Sequence, residues 1–202
     1  AASAADSIPK PVDPLVRHLP EAGTRGGRFV YGQTSSPKTF NALMENETSS
    51  SDITDLAFNG LAAFDKITQS NVPELAKAWE VSPDGLTYTF KLARNVKYHN
   101  VAPLNGRQFT AKDVVFTYRR FAGAAAATSN FFVDMESVNA VDDYTVQIKL
   151  KQPYPDFIIP LATRALPMQA SELVDKNLLD KNPIGTGSLI FKGIDAGDKY
   201  QF

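Results

Sequence analysis

Cysteine is absent from the chain, and histidine occurs only at His18 and His99. The missing cysteines exclude disulfides, thiolate zinc sites and cysteine nucleophiles, and two histidines cannot build a multi-histidine metal cage. Neither fact fixes a compartment, because exported proteins can lack disulfides. An excess of one charge is also missing: 21 basic residues face 22 acidic ones, for a net charge of −1. A nucleic-acid binder carries a basic excess or stripe, so no nucleic-acid partner is expected. No uninterrupted apolar run approaches the ~18 residues that span a membrane. What remains is ordinary globular composition, 43% hydrophobic and 21% charged over 202 residues. A chain of that length buries roughly 70% of its unfolded surface, enough for a core without staples.

Both ends carry expectations. Ala1-Ala-Ser-Ala-Ala5 has the small residues of a signal-peptidase site, so the start reads either as a processed secretory terminus or as a cloning boundary. At the other end, Tyr200 and Phe202 alternate with Lys199 and Gln201, which reads as mid-strand and predicts that the chain is a fragment.

Residues 1–27 hold Pro9, Pro11, Pro14 and Pro20 without a sustained period and read as an extended lead-in. A short strand is predicted at 28–33, broken by Thr34-Ser-Ser-Pro37, with loop from Asn41 to Glu47. Ser49-Ser-Ser-Asp52 offers N-caps for a helix carrying Ile53, Leu56, Ala57 and Leu61, with Gly60 as its end. The strongest β signal lies at 72–99. Ser82-Pro-Asp-Gly85 is a turn, because Pro presets φ and Gly tolerates positive φ. Trp79 and Val81 lead into it, and Leu86, Tyr88, Phe90 and Leu92 alternate with Thr87, Thr89 and Lys91 after it. A second hairpin spans 137–150 around Asp142-Asp143. Between the hairpins, Thr110 is the N-cap of a helix with Asp113 in its first turn. Val114, Tyr118 and Phe121 form its apolar stripe, and Arg119 and Arg120 suit its C-terminal end. Residues 123–127 are a linker or short helix, 157–161 are helical after Pro153 and Pro155, and a further helix runs from Ser171 to about Leu179. A strand is expected near 188–193. Hairpins with packed helices indicate an α+β fold.

No catalytic constellation emerges. Gly185-Thr-Gly187 lacks the third glycine and following helix of a dinucleotide loop. There is no Walker A sequence and no G-x-S-x-G elbow. His99 ends a strand without a partner serine in a strained turn, so it reads as structural. Asp142-Asp143 reads as turn chemistry, and Glu74, Glu80 and Asp84 as solvated charges. Trp79 reads as core rather than as a stacking platform. Arg164, flanked by Pro160-Leu161 and Leu166-Pro167, either snorkels to the surface or points into a polar cleft.

Several segments together resemble the family 5 extracellular solute-binding proteins, receptors of ABC importers for peptides, dipeptides and nickel. They are Gly26-Gly-Arg-Phe-Val-Tyr-Gly32, Ser36-Pro-Lys-Thr-Phe-Asn41, the run from Val72 through Trp79-Glu-Val-Ser-Pro-Asp-Gly-Leu-Thr-Tyr-Thr-Phe90 to Leu92, and Val96-Lys-Tyr-His99. Phe109-Thr-Ala-Lys-Asp-Val-Val-Phe116, Val141-Asp-Asp-Tyr-Thr-Val146 and Asn182-Pro-Ile-Gly-Thr-Gly187 continue the match. Two features depart from it: Asn105-Gly-Arg-Gln108 lengthens the loop before Thr110, and Ser188-Leu189 stands where Pro and an aromatic are usual.

The resemblance implies a mixed α/β, periplasmic-binding-protein-like first lobe of a two-lobed receptor. Residues 28–50 and 171–202 would be pieces of a base lobe, 51–170 a side domain, and the second lobe would be absent. It implies a non-enzymatic, periplasmic protein without cofactor or metal that captures a peptide or other small polar solute and delivers it to a membrane permease. The ligand-binding residues it suggests are Asn46, Glu47, Thr48, Ser49, Thr163 and Arg164, with Arg164 gripping a carboxylate; loop 123–130 would also face the cleft. The lack of an N-terminal cysteine argues against a lipid anchor at the present terminus. Unpaired strands at 28–33 and 188–202 would favour self-association. The competing readings are a peptide- or sugar-acting hydrolase using His99 or a carboxylate pair, and a sensing module without transport.

Overall fold

The computed structural model describes residues 30–44, 47–124, 127–163, 166–195 and 199–202. Helix α1 (Thr48–Ala57) comes first, followed by a small antiparallel hairpin of β1 (Ala62–Asp65) and β2 (Ser70–Pro73). Strands β3 (Ala76–Val81) and β4 (Thr87–Leu92), helix α2 (Ala111–Ala122), and strands β5 (Met135–Asp142) and β6 (Thr145–Leu150) build the main body. Helices α3 (Ile158–Leu161) and α4 (Ser171–Asp175) follow, then a terminal hairpin of β7 (Gly193–Asp195) and β8 (Lys199–Gln201).

The central sheet is antiparallel in the order β3-β4-β6-β5. Its period-2 pattern decides which face is buried. Phe90 lies opposite Val146, and Tyr88 and Val138 lie opposite Ile148, so their side chains share the inner face. Thr87, Thr89 and Lys91 share the outer face with Lys149, Gln147 and Thr145. Helix α2 lays Val114, Tyr118 and Phe121 on the inner face, all fully buried. Each such side chain contributes about 1.5–3 kcal/mol by leaving water. Trp79 joins the rim of this core, its ring 6.4 Å from Phe90.

The start of α2 follows the sequence closely. Thr110 and Asp113 form a capping box, with the Thr110 N–H donating to Asp113 Oδ2 at 2.9 Å. The long loop before it has a purpose. Asn105 and Gly106 take positive φ, at 48° and 70°, and the tight turn aims Arg107 back at the helix. Arg107 forks onto Asp113 (2.6 Å) and Glu172 (2.5 Å), while its guanidinium stacks 4.6 Å from the Tyr98 ring centroid. One side chain thereby ties the 98–108 loop, α2 and α4 together. Arg119 and Arg120 end the helix as expected but are also tethered: Arg119 donates to Val138 O, and Arg120 to Gln169 Oε1 and Asn41 Oδ1.

Several expectations are corrected. The described part of the expected 28–33 strand, residues 30–33, has no strand pairing, and Val30 and Tyr31 stand largely exposed. Side chains, not a ladder, tie this segment to α1: Tyr31 Oη and Gln33 Nε2 donate to Asp52, and Ser35 Oγ to Ser49 Oγ. Helix α1 starts at Thr48 instead of after Ser49–Asp52, and it ends at Ala57, ahead of Gly60, because Phe58 turns extended. The sequence pattern does not predict the β1–β2 hairpin. Helix α4 is shorter than the span to Leu179: Asn177 adopts φ 53°, and the Leu178 N–H closes back on Leu173 O at 2.8 Å. Residues 188–192 are not a strand, because the N–H groups of Gly187 and Leu189 are taken by α1 carbonyls instead of a neighbouring strand.

Candidate functional site

The C-terminal end of α1 organises the most developed polar region. A helix ends with carbonyls that lack intrahelical donors. Here the Gly187 N–H donates to Ala57 O at 2.9 Å and the Leu189 N–H to Leu56 O at 3.1 Å. The glycines permit this approach: a Cβ on Gly185 would stand 2.2 Å from Ala57 O, and one on Gly187 2.5 Å from Leu56 O. The Gly185-Thr-Gly187 motif is therefore a helix clasp. Below it His99 is buried and engaged on both ring nitrogens. Its Nδ1 accepts from the Gly185 N–H at 3.4 Å, and its Nε2 lies 3.0 Å from Gly187 O, which fits the tautomer protonated on Nε2.

Just past the helix, Asn59 gathers three segments. Its Nδ2 donates to Glu74 Oε1 at 2.7 Å, its Oδ1 accepts from Thr186 Oγ1 at 2.9 Å, and its carbonyl accepts from the Met168 N–H at 2.9 Å. Glu74 also accepts from the Gly60 N–H at 2.7 Å. It is half-buried, not solvated as its sequence context implied. Burial raises its pKa above the ordinary glutamate value, against the pull of these two hydrogen bonds.

Beside this junction runs a groove of about 390 Å³. Asp55, Asn59, Phe64, Lys66, Glu74 and Thr163 are among its lining residues, supplied by α1, the β1–β2 hairpin and the turn after α3. Thr163 is fixed by its hydroxyl donating to Pro160 O at 2.7 Å. The groove thus presents an amide, two hydroxyls, one ammonium and two carboxyl groups over a partly apolar wall, and its two threonine hydroxyls donate to backbone carbonyls, not to a side-chain base. Among the described residues no group of three or more His, Cys, Asp or Glu is arranged to hold a metal.

The candidate residues divide between two places. Glu47 precedes α1; its side chain accepts from the Lys38 N–H at 2.7 Å, and this hydrogen bond is the main cause of a lowered pKa. Thr48 and Ser49 form the first turn of α1, and Ser49 is buried beneath residues 33–35. Thr163 lies in the groove, which begins at Thr54 on the other half of the same helix. Ten helical residues span about 15 Å, so Glu47 and the groove mark opposite ends of α1. Asn46 and Arg164 lie outside the described residues. No sequence signal groups Asn59, Glu74 and Thr186 as one cluster. The sequence separates Asn59 from Thr186 by 127 positions, and only the helix clasp brings them together.

The family model for bacterial extracellular solute-binding proteins, family 5 middle region, matches residues 71–202. The chain is 32% identical over 86% of its length to heme-binding protein A of Haemophilus influenzae and, with the same figures, to the dipeptide-binding protein of Escherichia coli. It spans 36% of the length of each of these relatives. Among solved structures it is similar to the periplasmic binding protein DppA from Helicobacter pylori in complex with the peptide STSA. There the TM-score is 0.70 at 26% identity, over 82% of this chain and 36% of that one. HbpA2 from Haemophilus parasuis gives a TM-score of 0.69 at 31% identity, over 81% and 36%. The chain belongs to the family 5 extracellular solute-binding proteins, and its mixed helix and antiparallel-sheet architecture is that of one lobe of a periplasmic-binding-protein fold.

Proposed function

We propose that this chain is the first-lobe portion of an ABC-importer receptor that works outside the cytoplasm, binds a peptide or similar small polar solute, and passes it to a membrane permease. It is a binding protein, not an enzyme. The observation that carries the reading is the α1-end groove in a family 5 chain: polar and charged groups converge there without a catalytic pair. A zwitterionic peptide offers an ammonium and a carboxylate to such a lining. The division into a side domain at 51–170 and base-lobe pieces at 28–50 and 171–202 belongs to the same proposal, with the rest of the ligand's surroundings coming from a second lobe. The hydrolase reading is disfavoured by His99, whose two ring nitrogens are committed to Gly185 and Gly187.

The test is native mass spectrometry of the full-length protein from its own periplasm, followed by calorimetry with the released compound. The expected result is a bound mass of peptide size, with affinity reduced about tenfold by Arg164→Ala through loss of a charge-assisted pair. A heme-sized adduct would overturn the ligand class, and unchanged affinity would remove Arg164 from the site.

A further inference from the structure

Helix α2 has a second, outward stripe. Lys112, Val115, Phe116 and Arg119 line one wall of a groove of about 590 Å³, Asn139 and Ala140 of β5 line the other, and Arg120 completes the lining. Three cations and no carboxylate surround it. The carboxylates of β5 are engaged elsewhere: Glu136 pairs with Lys149 at 3.1 Å, and Asp142 accepts from the Tyr144 N–H at 2.7 Å. Lys112 is exposed and has no ion pair among the described residues.

Among the described residues, β5 is one of the two edge strands of the central sheet, β3 being the other. The register tells which of its backbone groups point away from β6. The Leu150 N–H bonds to Leu86 O, and the Leu92 N–H to Tyr144 O, so the even-numbered residues of β6 bond toward β4. Gln147 and Lys149 therefore bond toward β5, where they face Asn139 and Ser137. Alternation then turns the N–H and C=O of Val138 and Ala140 outward. The Arg119 bond to Val138 O, at 3.1 Å, reaches that outward carbonyl.

We propose that this groove docks an extended acidic segment of a partner protein, which adds as a fifth strand along β5 and sets its carboxylates against Lys112 and Arg119. The outward N–H groups of Val138 and Ala140 and the Ala140 carbonyl are a template for strand addition, with Arg119 already seated on Val138 O. A second copy of this edge would set Arg119 against Arg119, whereas an acidic strand replaces that repulsion with attraction. Val115 and Phe116, both partly buried, provide an apolar wall for alternate side chains. This groove and the α1-end groove share no lining residue, so the proposal stands apart from the ligand reading.

The test titrates this chain with a peptide of alternating valine and glutamate, matched to the eight residues of β5, and follows backbone amides by NMR. The expected result is shifted and exchange-protected amides at Val138 and Ala140, with no response to a valine–lysine peptide. Affinity should fall about tenfold in Lys112→Glu/Arg119→Glu and about threefold in Lys112→Glu alone, an exposed site where misfolding is not expected. Equal binding of both peptides would overturn the proposal. So would side-chain shifts without protection at Ala140, reproduced by inorganic phosphate or anionic phosphatidylserine vesicles, because they would mark a general anion surface. Failure here leaves ligand capture by the full-length receptor untouched, and failure of ligand capture leaves this edge untouched.

Discussion

At the scale of single residues, the tightest constraint sits where Gly185 and Gly187 cross the end of α1. Neither is needed for positive φ; each is needed because a Cβ would meet backbone, 2.2 Å from Ala57 O in one case and 2.5 Å from Leu56 O in the other. Backbone cannot swing aside as a side chain can. Gly185→Ala must therefore pull the clasp off the helix, leaving the His99 ring and an α1 carbonyl without partners. The expected cost is at least about 2 kcal/mol, read as a lowered urea midpoint at unchanged slope. A shift worth less than about 0.5 kcal/mol would mean that the clasp moves freely. Residue identity made some of this chemistry legible in advance. Thr110 announces an N-cap with the acid Asp113 in its first turn, and His99 lacks any catalytic company. Glu74 reads as solvated because its neighbours in sequence are polar, while the residues around it in the fold, Asn59, Ala162, Thr163 and Pro167, are distant along the chain.

Elements are joined here by charge as well as by packing. Arg107 bridges the start of α2 to α4, and it does so with Asp113 buried and Glu172 partly exposed. Arg107→Ala leaves the Asp113 carboxylate buried beside its cap without its cation, which should cost about 2–3 kcal/mol. Arg107→Lys should recover only part of that, because an ammonium cannot fork onto two carboxylates. The pH dependence has a definite sign. The Arg107 hydrogen bond holds the Glu172 pKa below the ordinary glutamate value. Its contribution is therefore complete above that ordinary value and is lost as pH falls through the lowered one. Thermal unfolding from neutral to acid pH should show a steeper fall in the parent than in Glu172→Gln; parallel curves would remove the Arg107–Glu172 pair from the acid transition. Hairpins and α2 were legible because their side-chain periods are clean. The strands expected at 28–33 and 188–193 were not, because an apolar stretch does not reveal whether a neighbouring strand or a helix end will take its N–H groups.

For the molecule as a whole, the apolar surface is uneven. The central sheet, α2, α3 and α4 share one core, whereas the 189–194 segment leaves Leu189, Ile190 and Ile194 at 39%, 43% and 54% exposure. The β7–β8 hairpin that follows has only itself as a partner among the described residues, and a lone two-stranded hairpin is marginal in water. Aromatic contacts of Phe191 with Phe40, Tyr200 and Phe202 hold its inner side to the body. They do nothing for its open edges or for Ile194. Exposed strand edges flanked by apolar side chains invite pairing with another copy. The chain should therefore associate as its concentration rises, with a sedimentation coefficient that climbs across the micromolar range. Ile194→Lys should suppress that climb while leaving the monomer's circular dichroism unchanged, since a lysine at an edge disfavours strand pairing without touching the core. A single monomeric species at every concentration would show instead that the β7–β8 edges are covered by the chain's own segments.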